Sequence, residues 1–150
     1  RVLAKGAPDK RLYLFDSFEG MPEVKHPLDK AWHKGDLANP VDGIRKAFKS
    51  SPRAAIVPGY FADSLPRHPD LRFAFCHVDC DLYDSVKECI EYIMPRLSDG
   101  GIILFDDYGF RDCAGAKQAI QERFGEHHRP VVPLPTGQAV YFHAGAAVPR

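Results

Sequence analysis

The sequence predicts an α/β fold in which an open, mostly parallel sheet carries helices on both faces and ends in an antiparallel hairpin. Three observations support this: short runs that are apolar throughout, stretches with helical apolar spacing between them, and two close apolar runs near the C-terminus. Strands that are apolar on both faces are typical of parallel sheets covered by helices on each side. The length of 150 residues suits a single domain, residues 1–150.

Four apolar runs are predicted to be the parallel strands. Most of them end directly before an aspartate, and one stops at a Pro-Gly pair, so their ends are well marked. The runs are Leu12–Phe15, Ala54–Val57, Arg72–Val78 and Ile102–Phe105.

Three helices are predicted between and after these strands. Asp84 or Ser85 is expected to cap the second helix, and Pro95 should end it near Met94 because proline disrupts a helix interior. Alternating strands and helices imply right-handed crossovers within one sheet. The helical patterns are Val41–Phe48, the set Val86, Cys89, Ile90, Ile93 and Leu97, and the set Ala116, Ala119, Ile120 and Phe124.

The C-terminal part and one long connection differ from this pattern. Val131–Pro133 and Ala139–His143 flank a Leu-Pro-Thr-Gly-Gln turn and predict an antiparallel hairpin at the sheet edge. Residues 21–40 are polar, hold three prolines and lack periodicity, which predicts a long surface loop. Long loops in compact domains often serve as lids over binding sites, and we expect this of residues 21–40.

Composition narrows the classes of function. The 20 basic and 20 acidic residues give a net charge of zero, which argues against nucleic-acid binding driven by phosphate neutralisation. No apolar run approaches the roughly 18–20 residues that span a membrane. Four cysteines without metal-binding spacing are expected to be free, buried thiols in a reducing cytoplasm. The first residue is Arg1, so we expect the chain to be a segment of a longer protein. The sequence is compatible with either a monomer or a homo-oligomer.

Aspartates follow three of the predicted strands and suggest a site. In an open parallel sheet the carboxyl ends of the strands share one edge, where ligands bind. Several carboxylates this close would repel one another unless a divalent cation, a ligand hydroxyl or a shared proton relieved the repulsion. Carboxylate oxygens favour a hard cation such as Mg²⁺, with Mn²⁺ and Ca²⁺ as further options, although helix capping by one or two of these residues is the alternative. The residues are Asp16, Asp79, Asp81, Asp106 and Asp107.

Asp16 and the histidines allow simpler interpretations. Asp16 suits either hydrogen bonding to both ribose hydroxyls of a nucleotide or a purely structural turn in Asp-Ser-Phe-Glu-Gly. His77 lies inside a predicted strand and is interpreted as a satisfied core residue. His127 and His128 are expected to be solvated, because they fall on a connection after a helix.

Five blocks of residues carry a family resemblance: Leu14–Pro22, Pro58–Pro66, His77–Ser85, Gly100–Gly109 and Leu134–Gln138. In this order they resemble the macrocin O-methyltransferase family, whose members are S-adenosylmethionine-dependent and often methylate sugar hydroxyls in antibiotic biosynthesis. The resemblance implies a class I, Rossmann-like methyltransferase sheet. The small-molecule partner would be a hydroxyl acceptor.

The resemblance also implies roles for individual residues. Asp79, Asp106 and Asp107 would be Mg²⁺ ligands, and Asp79 would also be the general base and lie beside the cofactor. The metal would bind the acceptor hydroxyl, lower its pKa and orient it for in-line attack on the methyl group.

The first strands would bind S-adenosylmethionine. Asp16, with its neighbour Ser17, would hold the ribose, and Gly59 and Tyr60 would lie near the adenine. The glycine-rich turn that cradles the methionine end of the cofactor in this family is not found in the sequence and is expected upstream of Arg1.

Two other functions remain open at this stage. Asp79 and Asp81 also resemble the Asp-x-Asp start of haloacid-dehalogenase-like phosphatases, although only one helix fits between them and the next acidic pair. A metal-binding fragment without catalytic activity is the other possibility.

Overall fold

The computed structural model describes residues 9–125 and 130–144, so His127 and His128 lie outside the described residues. Strands and helices alternate along most of this length, as predicted. The strands are β1 Leu12–Asp16, β2 Ala54–Pro58, β3 Phe73–Val78, β4 Leu97–Phe105, β5 Val131–Pro133 and β6 Ala139–Phe142. The α-helices are α1 Val41–Phe48, α2 Phe61–Ser64, α3 Tyr83–Ile93 and α4 Ala114–Gly125.

The described residues form two compact units. The first unit contains the residues up to Glu23 together with His33–Pro69, and the second contains Val24–Trp32 and the residues from Asp70 onward. In the first unit β1 and β2 pair in parallel, with Leu12 opposite Ala54. The same register places the two strand ends, Asp16 and Pro58, side by side.

The second unit contains a four-stranded sheet in the order β3-β4-β6-β5. β3 and β4 are parallel, whereas β6 runs antiparallel to both β4 and β5. The prediction of a parallel α/β sheet with an antiparallel hairpin at its edge is therefore confirmed.

The core of the second unit lies between one face of this sheet and helices α3 and α4. Ile103 and Phe105 of β4 and Tyr141 of β6 are at most 4% exposed and lie on the same face. The ring of Phe124 in α4 packs against Phe105 and Tyr141, with ring centroids 5.6 Å and 4.6 Å apart. Because these rings are removed from water together, α4 is anchored firmly on the sheet.

Helix α3 buries the side predicted from its spacing and ends at Ile93, two residues before Pro95. The predicted cap was wrong, because the helix begins at Tyr83 and neither Asp84 nor Ser85 precedes it. The backbone N–H of Tyr83 instead donates to the side chain of Asp29, at 2.9 Å. Each helix of the described residues is too short or too polar to cross a membrane.

Residues 21–40 are a loop whose helical content is one 3₁₀ turn, Pro27–Asp29. The loop is not wholly superficial: Met21 is 7% exposed and Asp29 only 1%. The indole N–H of Trp32 donates to the backbone carbonyl of Asp112 at 3.0 Å. The middle of the loop is therefore packed within the second unit.

Burial of Asp29 predicts a pH-dependent contribution to stability. Desolvation raises the pKa of Asp29, and the hydrogen bond from the Tyr83 N–H opposes this only in part. A raised pKa in the folded state means that the favourable contribution is complete below the unfolded pKa of about 3.9 and is lost as the pH rises through the folded value.

We therefore expect Asp29→Asn to flatten the decline in the free energy of unfolding as the pH rises above about 4. Denaturant titrations at several pH values measure this slope. Asp99→Asn, which removes an exposed carboxylate from β4, controls for the change in net charge. Parallel pH profiles for wild type and Asp29→Asn would contradict the prediction.

Candidate active site

Acidic side chains gather where β3 and β4 end. The two strands are adjacent and parallel, with Val78 opposite Phe105, so the residues that follow them emerge at the same edge. Asp79 and Asp106, together with His77, offer ligand atoms that all lie within 4.8 Å of one another. The predicted convergence of these two aspartates is therefore present in the structure.

Asp107 lies in a neighbouring group with Asp81 and Cys113, whose ligand atoms also lie within 4.8 Å of one another. Asp107 is 5% exposed. Its Oδ2 accepts the backbone N–H groups of Cys80 at 3.2 Å and Asp81 at 2.9 Å. The Cys113 thiol donates to Oδ1 of Asp81 at 3.4 Å. The three predicted ligands Asp79, Asp106 and Asp107 therefore do not form a single group of this kind, because Asp107 belongs to the second group. The sequence placed Asp81 at this edge without naming it as a ligand, and it did not indicate Cys113.

The backbone at Asp81 has a positive φ of 58°. Aspartate tolerates this left-handed region better than most residues, and such conformations cluster at functional sites. The hydrogen bond from the Asp81 N–H to Asp107 helps to hold the conformation. The segment after β3, which contains Asp81, is thus joined directly to the segment after β4, which contains Asp107.

Like charges shape the proton affinity of this group. Burial, followed by the Asp107 charge, raises the pKa of Asp81 to about 6. Burial also raises the pKa of Asp107, and the charges of Asp79 and Asp106 act in the same direction. The carboxylates are therefore close enough to repel one another, as predicted.

Asp106 is held by two side chains through the same oxygen. The amide of Gln138 donates to its Oδ1 at 2.5 Å, and Nε2 of His77 lies 3.2 Å from that atom. The hydrogen bond from Gln138, followed by that from His77, lowers the pKa of Asp106. Thr136 donates to Oε1 of Gln138 at 3.0 Å, which fixes which way the amide points.

The sequence-based interpretation of His77 was wrong. Its side chain is 37% exposed and contacts Asp106 rather than filling the core. Strand alternation explains this, because His77 points to the face opposite the one covered by α3 and α4. The role of Gln138 was also missed; the one available signal was its place in the Leu134–Gln138 block.

Two glycines allow the hairpin turn to approach the acidic segment. The N–H of Gly109 donates to the carbonyl of Gly137 at 2.6 Å, and a Cβ at Gly109 would lie 2.9 Å from the Gly137 Cα. A side chain at Gly109 would therefore collide with backbone. This contact brings the turn that carries Gln138 against the segment after Asp107.

The candidate cofactor residues of the first unit also lie together. The N–H of Gly59 donates to the carbonyl of Asp16 at 2.9 Å, and Tyr60 follows directly before α2. Oδ1 of Asp16 accepts the N–H of Phe18 at 2.7 Å, so the turn interpretation is confirmed for that oxygen. Ser17 points back into its own turn, donating to the carbonyl of Gly20 at 2.8 Å.

Comparison with known proteins adds relatives with named activities. A tetracenomycin-modifying enzyme of Streptomyces olivaceus, 8-demethyl-8-(2,3-dimethoxy-alpha-L-rhamnosyl)-tetracenomycin-C 4'-O-methyltransferase, is 38% identical over 81% of this chain and 51% of its own length. Mycinamicin III 3''-O-methyltransferase of Micromonospora griseorubida is 28% identical over 78% of this chain and 51% of its own. The chain thus spans about half the length of these two relatives.

A solved structure shows the same fold. The O-methyltransferase NovP superposes with a TM-score of 0.82 at 24% identity, covering 95% of this chain and 64% of NovP. The Rossmann-like methyltransferase fold implied by the resemblance is therefore confirmed. The model of the family described as Macrocin-O-methyltransferase (TylF) matches residues 2–142. The match spans the same five blocks that carried the resemblance, and the chain belongs to this family.

Proposed function

We propose that the protein is an S-adenosylmethionine-dependent, Mg²⁺-dependent O-methyltransferase that methylates a hydroxyl group of a sugar or another natural product. The observation that carries the proposal is the convergence of acids at the ends of β3 and β4 in a chain of this family. The names of the two relatives, which modify a rhamnosyl tetracenomycin and mycinamicin III, support a glycosylated acceptor in antibiotic biosynthesis.

The residues present fit a hard divalent cation. Asp79 and Asp106, which lie together, would hold Mg²⁺ with Asp107 of the neighbouring group as the third ligand, because carboxylate oxygens are its preferred protein ligands. Both side-chain hydrogen bonds of Asp106 engage Oδ1, so Oδ2 is the oxygen that we assign to the cation. Burial and, to a smaller extent, the charges of Asp79 and Asp106 raise the pKa of Asp107, and a bound cation would relieve both effects. When bound, Mg²⁺ would supply Lewis-acid activation and orientation of the acceptor hydroxyl.

The chain's own residues would then complete the reaction. Asp79, which is exposed at the end of β3, would accept the hydroxyl proton as the acceptor oxygen attacks the methyl carbon. His77 and Gln138 would keep Asp106 in a single orientation. Such outer contacts matter because ligands that are held in place bind a metal more tightly.

Asp16 and Ser17 of the first unit would bind the cofactor ribose, and Gly59 and Tyr60 would lie against the adenine. Asp16 is exposed, and its Oδ1 is engaged with Phe18, so Oδ2 is the oxygen we assign to the ribose. The close backbone contact between Asp16 and Gly59 supports one shared site for these residues.

The family assignment favours methyl transfer over the phosphatase alternative. A phosphatase of that kind would use Asp79 as nucleophile and Asp81 as its acid–base partner. Here Asp81 instead accepts a hydrogen bond from the Cys113 thiol. Methyl transfer by the protein would exclude the third alternative, a metal-binding fragment without catalytic activity.

The metal site predicts a loss of Mg²⁺ binding on removal of two ligands. We expect Asp106→Ala combined with Asp107→Ala to weaken Mg²⁺ binding by about a hundredfold or more, because two of three carboxylate ligands are gone. Isothermal titration calorimetry on the intact protein measures this. The control is Asp99→Ala, which removes an exposed acid near the start of β4, the strand that precedes Asp106 and Asp107. Unchanged Mg²⁺ affinity in the double variant would contradict the assignment.

The cofactor site predicts weaker S-adenosylmethionine binding when Asp16 is removed. Hydrogen bonds to a charged group contribute about 1.5–3 kcal/mol each, so we expect Asp16→Ala to raise the Kd by about tenfold to a hundredfold. Asp42→Ala, on the exposed side of α1, serves as the control. Equal cofactor affinity in wild type and Asp16→Ala would rule out the ribose contact.

The assignment of Asp79 as general base predicts that its replacement lowers the rate of methyl transfer more than it weakens binding of the acceptor. We expect Asp79→Asn to lower kcat by about a hundredfold to ten-thousandfold, the usual contribution of a positioned base. The assay follows S-adenosylhomocysteine release and methylated product with glycosylated acceptors, with and without a chelator. No methyl transfer by the wild-type protein to any such acceptor would sink the proposed function.

A further inference from the structure

Asp29 is a buried carboxylate that the proposed reaction does not use. Its side chain is 1% exposed, although it belongs to the loop of residues 21–40. Oδ2 accepts the N–H of Tyr83, whereas Oδ1 is buried without a hydrogen-bond partner among the described residues. A buried, incompletely satisfied carboxylate is unfavourable by itself, so its position calls for another explanation.

The unsatisfied oxygen faces the first turn of α4. A Cβ added at Gly115 would lie 1.9 Å from Oδ1 of Asp29, so the carboxylate fits only because residue 115 is glycine. The same carboxylate therefore contacts the N-terminal ends of both α3 and α4. Both ends carry partial positive charge, which favours an anion between them.

These two helix starts directly follow the two acidic segments. Tyr83 comes two residues after Asp81, and Gly115 comes two residues after Cys113. Asp81 and Cys113 are themselves hydrogen-bonded. The Asp81–Cys113 hydrogen bond joins two segments, residues 79–83 and 106–115, and Asp29 contacts both of them at a second point.

Two loop residues near Asp29 contact the same two segments. The ring of His26 stacks on that of Tyr83 with centroids 4.0 Å apart, which holds the first segment. The indole of Trp32 donates to the backbone carbonyl of Asp112, which holds the second. Residues 26–32 therefore contact both segments, through His26 and Trp32 separately and through Asp29 simultaneously.

We propose that Asp29 is a positioning residue for the acidic site. Its carboxylate sets the spacing between residues 79–83 and residues 106–115, so that Asp107 stays bonded to the N–H groups of Cys80 and Asp81. The inference that this spacing tunes cation binding rests on the proposed function. The inference about spacing itself does not.

The metal-free test is amide hydrogen exchange in the intact protein. In Asp29→Ala, we expect the Cys80 and Asp81 amides to exchange about tenfold faster, because both bonds to Asp107 open more often. Interior amides of α3 and α4, such as those of Ile90 and Ile120, should stay within about twofold of wild type. Asp29→Asn, which keeps an acceptor for the Tyr83 N–H, should restore most of the protection.

Unchanged protection of Cys80 and Asp81 in folded Asp29→Ala would overturn the proposal. If Asp29→Ala does not fold, Gly115→Ala makes the same test, because the added Cβ would displace the Asp29 carboxylate from the first turn of α4. About threefold faster exchange of those two amides is then expected, and no change overturns the proposal.

The second readout is the Mg²⁺ Kd from calorimetry. We expect Asp29→Ala to raise it by about tenfold, as outer-shell changes do. Ile120→Val, a core change in α4 that alters neither Asp29 nor the acidic residues, should lower stability yet leave the Kd within about twofold of wild type. If wild type binds no Mg²⁺, the metal assignment fails while the exchange test still decides the role of Asp29. Equal Mg²⁺ affinity in wild type and Asp29→Ala overturns the link to binding.

Discussion

Repulsion among carboxylates is the constraint on which the rest of this structure depends. Parallel pairing of β3 with β4 delivers the acids of two separate segments to one edge. Each of them is then held by a specific donor: Asp107 by backbone N–H groups, Asp106 by Gln138, and Asp81 by a thiol. These donors do not offset the combined effect of burial and neighbouring charge, because the pKa values of Asp81 and Asp107 remain raised.

The acids do not all experience the same surroundings. The pKa of Asp106 is lowered by Gln138 and His77, whereas that of Asp81 is raised by burial and by Asp107. The opposite shifts have different causes: hydrogen bonds to Asp106 stabilise its charged form, whereas burial of Asp81 disfavours its charged form.

Much of the fold could be predicted because its signals are local. Helix α1 matches the predicted Val41–Phe48, and α3 ends just before the proline that was expected to end it. The convergence of Asp79 and Asp106 followed from strand order alone. The contacts of His77, Gln138 and Asp29 could not be predicted, because each depends on a partner at least 29 residues away. Periodicity and turn signals carry no information about such pairs.

The contact between Gly109 and Gly137 has a consequence for protein engineering. The hairpin turn and the segment after β4 interlock backbone to backbone, with no side chain between them to absorb a change in shape. Chimeras between relatives with different acceptors should therefore exchange these two stretches as one module. A crossover point placed between them would combine a hairpin turn from one relative with the segment after β4 from another, and the backbone contact between the two would no longer match.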